Sequence, residues 1–251
     1  PPPAASAAGK WRPPGACPAE CRERGPAHAP DAAPPLTSDP RVAGVAFTGS
    51  TETARAINRA LAARDAPIAA LVAETGGQNA MIADSSALAE QLVKDVVASA
   101  FDSAGQRCSA CRVLYLQEDI ADHVIEMLTG AMAELKVGPT RDIATDVGPV
   151  IDQDALDMLQ KHAAKMDAKA RKLAQAELGP DCGNGHFFAP RAYEIGSTSQ
   201  LDREVFRPVL HLVRYKASQF ARVIEARPRP RSGLARWLPL PLHPPPPRPP
   251  P

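Results

Sequence analysis

The apolar and polar positions of residues 42–72 alternate in blocks that predict a strand, a helix and a second strand. The apolar run Val42–Phe47 predicts the first strand. Apolar residues then recur at helical spacing, which predicts a helix over Thr51–Arg64 with Thr51 as its N-cap. The apolar run Ile68–Val72 predicts a second, buried strand.

The same alternation continues to residue 215. In chain order we expect a strand over Asn79–Ala83, a helix over Ser86–Phe101, a strand over Arg112–Gln117, a helix over Ala121–Leu135, a long helix over Asp154–Ala176, and strands over Phe187–Ile195 and Val209–Tyr215. Strands that alternate with helices of this length indicate a mostly parallel α/β sheet.

Proline separates this patterned middle from two unusual ends. Of 28 prolines, ten lie in residues 1–35 and eleven in residues 227–251. Proline has no backbone donor, so we expect both ends to be extended or disordered. They could be Pro-x-x-Pro ligands for proline-recognising domains. Alternatively they are not native to the fold, because a GC-rich gene gives such runs when it is read in another frame.

Charge and cysteine content narrow the class of protein. A net charge of +1 gives no indication of nucleic-acid binding. No apolar run approaches the length of a membrane-spanning helix, so no span is predicted. The chain has five cysteines, an odd number at irregular spacing, which does not suggest a secreted disulfide framework. We therefore expect a reducing, cytoplasmic location.

The strongest candidate for chemistry is the stretch Ser-Ala-Gly-Gln-Arg-Cys-Ser-Ala-Cys at residues 103–111. Cys108 could be a nucleophile, because a nearby cation such as Arg107 favours the thiolate if its side chain turns toward the sulfur. Cys108 and Cys111 could also be a redox or metal couple, or both could be packing residues. Since an apolar run follows Cys111, we expect this residue to pack as a small hydrophobe. A zinc site would need two more ligands; the remaining cysteines are Cys17, Cys21 and Cys182.

Two further candidates follow the first two predicted strands. Gly49 and Ser50 precede a helix, whose N-terminal N–H groups suit a phosphate; an ordinary strand-to-helix turn is the alternative. Glu74 follows the second strand, and open α/β sheets bind ligands beyond the carboxyl ends of their strands. It could be a general base with a raised pKa, or a solvated carboxylate before a glycine turn.

In their order and spacing these motifs resemble the aldehyde dehydrogenase superfamily. The resemblance covers residues 36–226 and rests on Phe47-Thr-Gly-Ser50, Glu74-Thr-Gly-Gly-Gln-Asn79, Gly105-Gln-Arg-Cys-Ser-Ala110, Gly185-His-Phe-Phe-Ala-Pro190 and Glu204-Val-Phe-Arg-Pro-Val-Leu210. The second and third motifs are most similar to one branch. That branch is the L-glutamate γ-semialdehyde (Δ1-pyrroline-5-carboxylate) dehydrogenase module of bacterial bifunctional proline-utilisation enzymes.

The resemblance implies a partial aldehyde dehydrogenase fold of the α/β class. Residues 36–75 would be the end of a Rossmann-type NAD-binding domain, and residues 76–226 an incomplete catalytic domain. Residues 1–35 and 227–251 would be disordered arms outside the family fold. A crossover near residues 76–77 would place Cys108 and Glu74 on opposite sides of a shared cleft.

The resemblance also implies roles for individual residues. Cys108 would add to the aldehyde carbon, and the resulting thiohemiacetal would pass a hydride to NAD+. Glu74 would then activate water to hydrolyse the thioester, and Ser109 would hydrogen-bond the substrate carboxylate. The cofactor contacts would be Gly49 and Ser50 at the pyrophosphate, Glu204 at the nicotinamide ribose and Phe206 beside the nicotinamide ring. No metal is implied.

The implied activity is oxidation of L-glutamate γ-semialdehyde to glutamate in proline breakdown. Another aldehyde substrate, or a non-catalytic fragment whose proline-rich ends bind partners, are the alternatives. The parent family is oligomeric, and whether a flavin-dependent proline dehydrogenase domain belongs to the same parent chain stays open.

Two departures from the family pattern affect the expected activity. The family's oxyanion-binding asparagine lies upstream of Phe47, where this sequence has no counterpart, and Arg207 stands at a glycine position. Losing one oxyanion donor typically lowers the rate roughly a hundred- to a thousandfold. We therefore expect the chain as given to be alkylated at Cys108 but not to reduce NAD+.

Overall fold

The computed structural model describes residues 36–201, 206, 208–225 and 236–237. The chain divides into two units between Thr75 and Gly76. The resemblance implies a domain boundary at the same position, and the cofactor and catalytic roles of the two units stay predictions.

The first unit is a strand–helix–strand motif. It contains β1 (Gly44–Gly49), α1 (Thr51–Ala62) and β2 (Ala70–Thr75). The two strands run parallel. Each strand begins two residues after the start of the apolar run that predicted it. The three residues that α1 buries are the ones whose spacing predicted it: Ala54, Ile57 and Leu61.

Two expectations for the first unit are wrong. The N-cap of α1 is Ser50 rather than Thr51, because the Ser50 side chain accepts a hydrogen bond from the Thr53 backbone N–H at 3.0 Å. The apolar run also predicts a buried β2, yet Val72 is exposed. Alternate residues of a strand point to opposite faces, and the face of β2 that carries Val72 and Glu74 is open whereas Leu71 is half-buried.

The second unit contains the larger sheet and four helices. Its elements are β3 (Ala80–Ala83), α2 (Ala89–Phe101), β4 (Val113–Gln117), α3 (Glu118–Ala133), α4 (Gln153–Lys169), β5 (Arg171–Gln175), β6 (Arg191–Glu194), β7 (Val209–Tyr215), α5 (Phe220–Glu225) and β8 (Arg236–Trp237). Short 3₁₀ turns lie at Asp102–Gly105, Pro180–Gly183, Thr198–Gln200 and Ala217–Gln219.

The strands of the second unit form one six-stranded sheet in the order β5-β6-β7-β4-β3-β8. All neighbouring pairs are parallel except β5 and β6, which are antiparallel. This arrangement confirms the mostly parallel α/β sheet. Every residue of β4 is buried, as expected for a central parallel strand that is covered on both faces.

The core of the second unit lies between this sheet and its helices. Leu114 and Leu116 of β4 and Leu210 and Leu212 of β7 are completely buried, as is Phe101 at the end of α2. Burying an aliphatic or aromatic side chain contributes about 1.5–3 kcal/mol. The turn that joins α2 to β4 therefore connects two elements that are anchored in this core.

One predicted helix is wrong in its last seven residues. The pattern predicts a single helix over Asp154–Ala176, but α4 ends at Lys169 and Ala170 adopts an extended conformation. The residues that follow form β5, which pairs with β6. Pairing with a neighbouring strand thus overrides a local sequence that suits a helix equally well.

The outer boundaries of other elements also differ from the expectation. The run Phe187–Ile195 predicts one strand, but only Arg191–Glu194 pairs, while Phe187 and Phe188 pack in the core. Of the proline-rich tail, the structure describes only Arg236–Trp237, which pair with β3. No helix of the described residues is long and apolar enough to cross a bilayer.

Candidate active site

The turn between α2 and β4 contains an unusual run of left-handed backbone. Ser103 and Ala104 have φ angles of 56° and 52°, and Gly105 follows at 64°. Residues other than glycine rarely adopt this conformation, which costs of order 1–3 kcal/mol each when the surroundings impose it. Ala104 is held there in the core at 2% exposure. This left-handed run ends at Gly105, three residues before the predicted nucleophile Cys108.

Residues Ser103–Ala110 form what we call the cysteine turn. Cys108 lies at its tip as an exposed, free thiol. The Ala110 backbone N–H donates to the Arg107 carbonyl at 3.1 Å and closes the turn around Cys108. Ser109, the predicted substrate contact, is exposed beside it. A small electrophile therefore reaches the Cys108 sulfur from solvent.

The Arg107 side chain is directed toward the helix rather than held as a partner of the sulfur. Its guanidinium donates to the Ala98 carbonyl at 2.8 Å and to the Ser99 carbonyl at 3.2 Å, at the C-terminal end of α2. A cation suits the negative end of the helix dipole. Of the two directions that the sequence left open, the structure therefore favours capping of α2.

Cys111 has a different environment from Cys108. It is 2% exposed, and its thiol donates to the Val113 carbonyl at 3.4 Å. Burial raises the pKa of the Cys111 thiol to about 12, because a thiolate is not solvated there. The expectation that Cys111 packs as a small hydrophobe is confirmed, and a redox couple with Cys108 is not supported.

The other cysteines add nothing to a metal hypothesis among the described residues. Cys182 is half-buried and its thiol donates to the Val137 carbonyl. Cys17 and Cys21 lie outside the described residues. Within the described part of the chain, no three His, Cys, Asp or Glu side chains are grouped so that they could hold a metal ion.

Two buried side chains that the sequence did not single out hold the cysteine turn. Asn79 Nδ2 donates to the carbonyls of Cys108 at 2.5 Å and Ala110 at 3.1 Å. The Arg112 guanidinium donates to the carbonyls of Gly105 at 2.6 Å and Arg107 at 3.0 Å. A polar residue at the start of each of two adjacent apolar strands, β3 and β4, is the signal that could have identified this pair.

Gln106 joins the cysteine turn to the segment before α4. Its side-chain oxygen accepts a hydrogen bond from the Ile151 backbone N–H at 2.9 Å, and its amide nitrogen donates to the Pro149 carbonyl at 3.4 Å. These bonds link positions more than 40 residues apart. The turn is therefore fixed by the second unit as a whole rather than by local hydrogen bonds alone.

Three predicted site residues lie at one edge of the first unit. Gly49 and Ser50 join β1 to α1, and Glu74 lies opposite Thr48 in the parallel register, so all three lie at the carboxyl ends of the strands. All are exposed. A Cβ on Gly49 would lie 2.5 Å from the Phe47 ring, so the ring packs against a bare glycine. The predicted cleft between Glu74 and Cys108 stays a prediction, because the two residues belong to different units.

Of the predicted nicotinamide contacts, the structure describes only Phe206. Its ring is 37% exposed, and the guanidinium carbon of Arg112 lies 5.0 Å from the ring centre. This distance is typical of a cation–π contact. Glu204, and Arg207 at the glycine position, lie outside the described residues.

A buried histidine lies behind the cysteine turn. His211 of β7 is 2% exposed, its backbone N–H donates to the Arg112 carbonyl, and its Nδ1 lies 3.2 Å from the same oxygen. Its Nε2 lies 3.0 Å from Nε2 of His162 on α4. Since a carbonyl only accepts, Nδ1 of His211 carries a hydrogen and Nε2 accepts from His162. Burial lowers the pKa of His211 to about 3.

Comparison with known proteins identifies the family of this site. A model of the aldehyde dehydrogenase family matches residues 23–236, which extends beyond residues 36–226 at both ends. The bifunctional protein PutA of Salmonella typhimurium is 53% identical over 199 residues, covering 76% of this chain and 15% of that protein. The 1-pyrroline-5-carboxylate dehydrogenase of a Geobacillus species is 31% identical, covering 79% of this chain and 39% of that protein.

Solved structures give the same result. A mutant of proline utilization A from Bradyrhizobium japonicum superposes with a TM-score of 0.73 at 54% identity, covering 77% of this chain and 20% of that chain. Methylmalonate-semialdehyde dehydrogenase from Oceanimonas doudoroffii superposes with a TM-score of 0.68 at 30% identity, covering 76% of this chain and 40% of that chain. The chain thus spans well under half the length of these relatives, and it belongs to the aldehyde dehydrogenase family.

Proposed function

We propose that this chain carries the nucleophile of an NAD-dependent dehydrogenase that oxidises L-glutamate γ-semialdehyde to L-glutamate. The observation that carries the proposal is the contrast between an exposed Cys108 at the tip of a strained turn and a buried Cys111. The similarity to 1-pyrroline-5-carboxylate dehydrogenases supports the substrate. The similarity to proline utilization A of Bradyrhizobium japonicum also supports a role in proline use.

Cys108 would form the covalent intermediate. Its thiolate adds to the aldehyde carbon, and the carbonyl oxygen becomes an oxyanion that the Cys108 backbone N–H can stabilise. NAD+, when bound, supplies the acceptor for the hydride that leaves this adduct. Loss of the hydride leaves an acyl group on Cys108 as a thioester, which water can hydrolyse.

Glu74 would act as the base for that hydrolysis. A carboxylate accepts the proton of the attacking water, and the C–S bond then breaks to release the acid and the Cys108 thiolate. Exposure of Glu74 at the carboxyl end of β2 supports this role, because water reaches the side chain there. Ser109, exposed next to Cys108, would donate a hydrogen bond to the carboxylate of the substrate.

The residues at the edge of the first unit fit part of a dinucleotide. α1 begins directly after Gly49 and Ser50, and the N–H groups of its first turn suit a phosphate. A Cβ on Gly49 would clash with the Phe47 ring, so this position before α1 is restricted to glycine. Phe206, partly exposed in the second unit, would lie beside the nicotinamide, and Glu204 would bind its ribose.

A second candidate substrate is another semialdehyde that carries a carboxylate. The likeness to methylmalonate-semialdehyde dehydrogenase at a TM-score of 0.68 favours it. The chemistry at Cys108 would be the same, since both substrates offer an aldehyde carbon for addition. The two candidates differ in the distance between the aldehyde and the carboxylate, which substrate competition can measure.

The test of the proposal is protection of Cys108 by substrate. We expect L-glutamate γ-semialdehyde to slow iodoacetamide alkylation of Cys108, measured by peptide mass spectrometry, and to leave alkylation of Cys182 unchanged. Methylmalonate semialdehyde should protect only at higher concentration. Absence of protection by any aldehyde, together with binding of a proline-recognising domain, would favour the non-catalytic alternative.

Turnover is tested in a chimera. The segment of this chain that aligns with Salmonella PutA over 199 residues replaces its counterpart in that protein. We expect aldehyde-dependent NADH formation that Cys108→Ala abolishes and Cys111→Ala retains. NADH formation that survives Cys108→Ala would overturn the proposed nucleophile.

A further inference from the structure

Both peptide groups that flank Cys108 are held by buried side chains. The Arg107 carbonyl, which accepts from Arg112, belongs to the same planar peptide group as the Cys108 N–H. The Cys108 carbonyl, which accepts from Asn79, belongs to the peptide group that continues to Ser109. Fixing the two oxygens therefore fixes the direction of the Cys108 N–H and of the Cα–Cβ bond between the two planes.

The two side chains are joined to each other through the sheet. The backbone N–H groups of Arg112 and Val113 donate to the Asn79 carbonyl at 3.0 and 3.1 Å, and the neighbouring strands β3 and β4 are parallel from Ala80 and Val113 onward. Asn79 and Arg112 thus form one polar frame at the ends of two central strands. The backbone of both residues is therefore anchored to the sheet.

Because the side chains of the frame are buried, they stabilise one conformation of the turn over others. Asn79 and Arg112 are each 2% exposed. A buried amide or guanidinium that loses its acceptors has no water to replace them, so rotating the turn away is costly. The hydrogen bonds of the frame therefore hold the turn in this arrangement.

We propose that Asn79 and Arg112 are positioning residues that orient the Cys108 N–H toward the oxyanion formed during acyl chemistry. The inference rests on the proposed nucleophilic role of Cys108. It adds two residues, neither of which touches substrate, whose function is to hold the peptide groups on either side of the nucleophile. Asn79 fixes the peptide group after Cys108, and Arg112 fixes the one before it.

Two reactions of the same sulfur separate orientation from exposure. With p-nitrophenyl acetate, the Cys108 thiolate attacks the ester carbonyl, a C–S bond forms, the C–O bond breaks and p-nitrophenolate leaves; water then releases acetate from the thioester. This path passes through an oxyanion that the Cys108 N–H stabilises. With iodoacetamide, the thiolate displaces iodide directly, and no oxyanion forms. The ratio of acylation to alkylation therefore reports the orientation of the N–H group.

The experiment measures this ratio in the full chain and in two variants. Asn79→Asp removes the Nδ2 hydrogens that donate to the carbonyls of Cys108 and Ala110. Arg112→Lys keeps the positive charge but loses the planar guanidinium that reaches the carbonyls of Gly105 and Arg107. Each should lower the ratio about tenfold or more, a part of the hundred- to thousandfold loss typical when an oxyanion donor is removed. Tyr215→Phe is the matched control, since it loses one buried hydrogen bond to the Ala83 carbonyl at 3.0 Å and should leave the ratio unchanged.

Amide hydrogen exchange gives a second readout that needs no chemistry. Exchange at residues 106–110 should accelerate in Asn79→Asp and Arg112→Lys but not in Tyr215→Phe, while β7 stays protected in all three. Unchanged exchange at residues 106–110 overturns the positioning inference whether or not the chain reacts with the ester.

The outcomes also separate this inference from the proposed function. An ester reaction that persists in Cys108→Ala shows that the nucleophile is wrong. An ester reaction that requires Cys108, with equal ratios in the parent chain and in both variants, leaves the nucleophile in place and overturns the positioning role. If the ratio also falls in Tyr215→Phe, the effect comes from a general loss of stability. That result would likewise overturn the positioning role.

Discussion

The cysteine turn and the start of β4 differ sharply although they adjoin in sequence. In the turn, the backbone is left-handed at Ser103 and Ala104 and the Cys108 thiol is exposed. Three residues later Cys111 is buried, and its pKa rises to about 12. The same side chain is thus available for reaction in one place and a packing group in the other.

The difference shows that the exposure of each thiol is set by the backbone path rather than by the type of residue. A short strained turn lifts Cys108 out of the core, and the return to β4 takes Cys111 back into it. The Asn79 and Arg112 side chains bind carbonyls of the turn, and the Arg107 side chain binds carbonyls at the end of α2 rather than the sulfur. The buried hydrogen bonds around the turn therefore stabilise its conformation.

The largest expected effect is the difference in alkylation rate between the two cysteines. Cys108 is open to solvent, whereas Cys111 reacts only after the second unit opens, which costs about 5 kcal/mol or more in a typical domain. Iodoacetamide should therefore label Cys108 at least about a thousandfold faster than Cys111. Peptide mass spectrometry over time measures both rates in one sample, and comparable rates would break the comparison.

The next effect is on stability. Cys111→Ser places a hydroxyl in an apolar site and should lower the free energy of unfolding by about 1–3 kcal/mol. Cys108→Ser changes an exposed side chain and should stay within about 0.5 kcal/mol. Urea unfolding followed by circular dichroism gives both values. Equal losses in the two variants would mean that the turn is packed as tightly as the strand.

The parts of the fold that the sequence predicted well are those where one kind of contact dominates. β7 begins and ends at the predicted residues because it is a central strand and nearly every position is apolar and buried. β5 was missed because Arg171–Gln175 has no strand pattern of its own and becomes a strand only by pairing with β6. Pairing over a long sequence distance leaves no local signal.

The residues of the candidate site also differ in whether a local sequence signal predicts them. The packing role of Cys111 could be predicted from the apolar run that follows it, whereas the catalytic role of Cys108 stays a prediction. The directions of the Asn79, Arg107 and Arg112 side chains could not be predicted, because they depend on carbonyls that the left-handed turn brings into reach. The roles of Glu74, Ser50 and Ser109 stay predictions, since they depend on bound molecules.

Acid should lower the free energy of unfolding through His211 of β7. Its pKa is about 3 in the folded chain and about 6.5 when unfolded, so between these values the unfolded chain binds more protons. Stability is therefore full above pH 6.5 and falls as the pH drops, by about 2 kcal/mol at pH 5. The groups that face His211 are His162 of α4, Tyr193 of β6 and the Arg112 carbonyl.

Substitution isolates this contribution. His211→Asn keeps a side-chain donor near the Arg112 carbonyl but has no group that titrates, so the loss of stability between pH 6.5 and pH 5 should shrink. His123→Asn, at an exposed histidine of α3, is the matched control and should keep the slope of the parent chain. Urea unfolding at several pH values measures the slopes. The same slope in His211→Asn as in the parent would show that His211 is not the group responsible.

The smallest expected effect comes from relieving strain in the turn. Ser103 is exposed and has a φ of 56°, a conformation that glycine adopts without the steric cost of a Cβ. Ser103→Gly loses that cost but gains flexibility when unfolded, so the net gain in stability should be about 0.5–1 kcal/mol. Ser109→Gly, in the same turn but without a left-handed backbone, should not stabilise the chain. If Ser103→Gly is instead destabilising, the left-handed backbone is not a source of strain, and the turn and the strand differ in exposure alone.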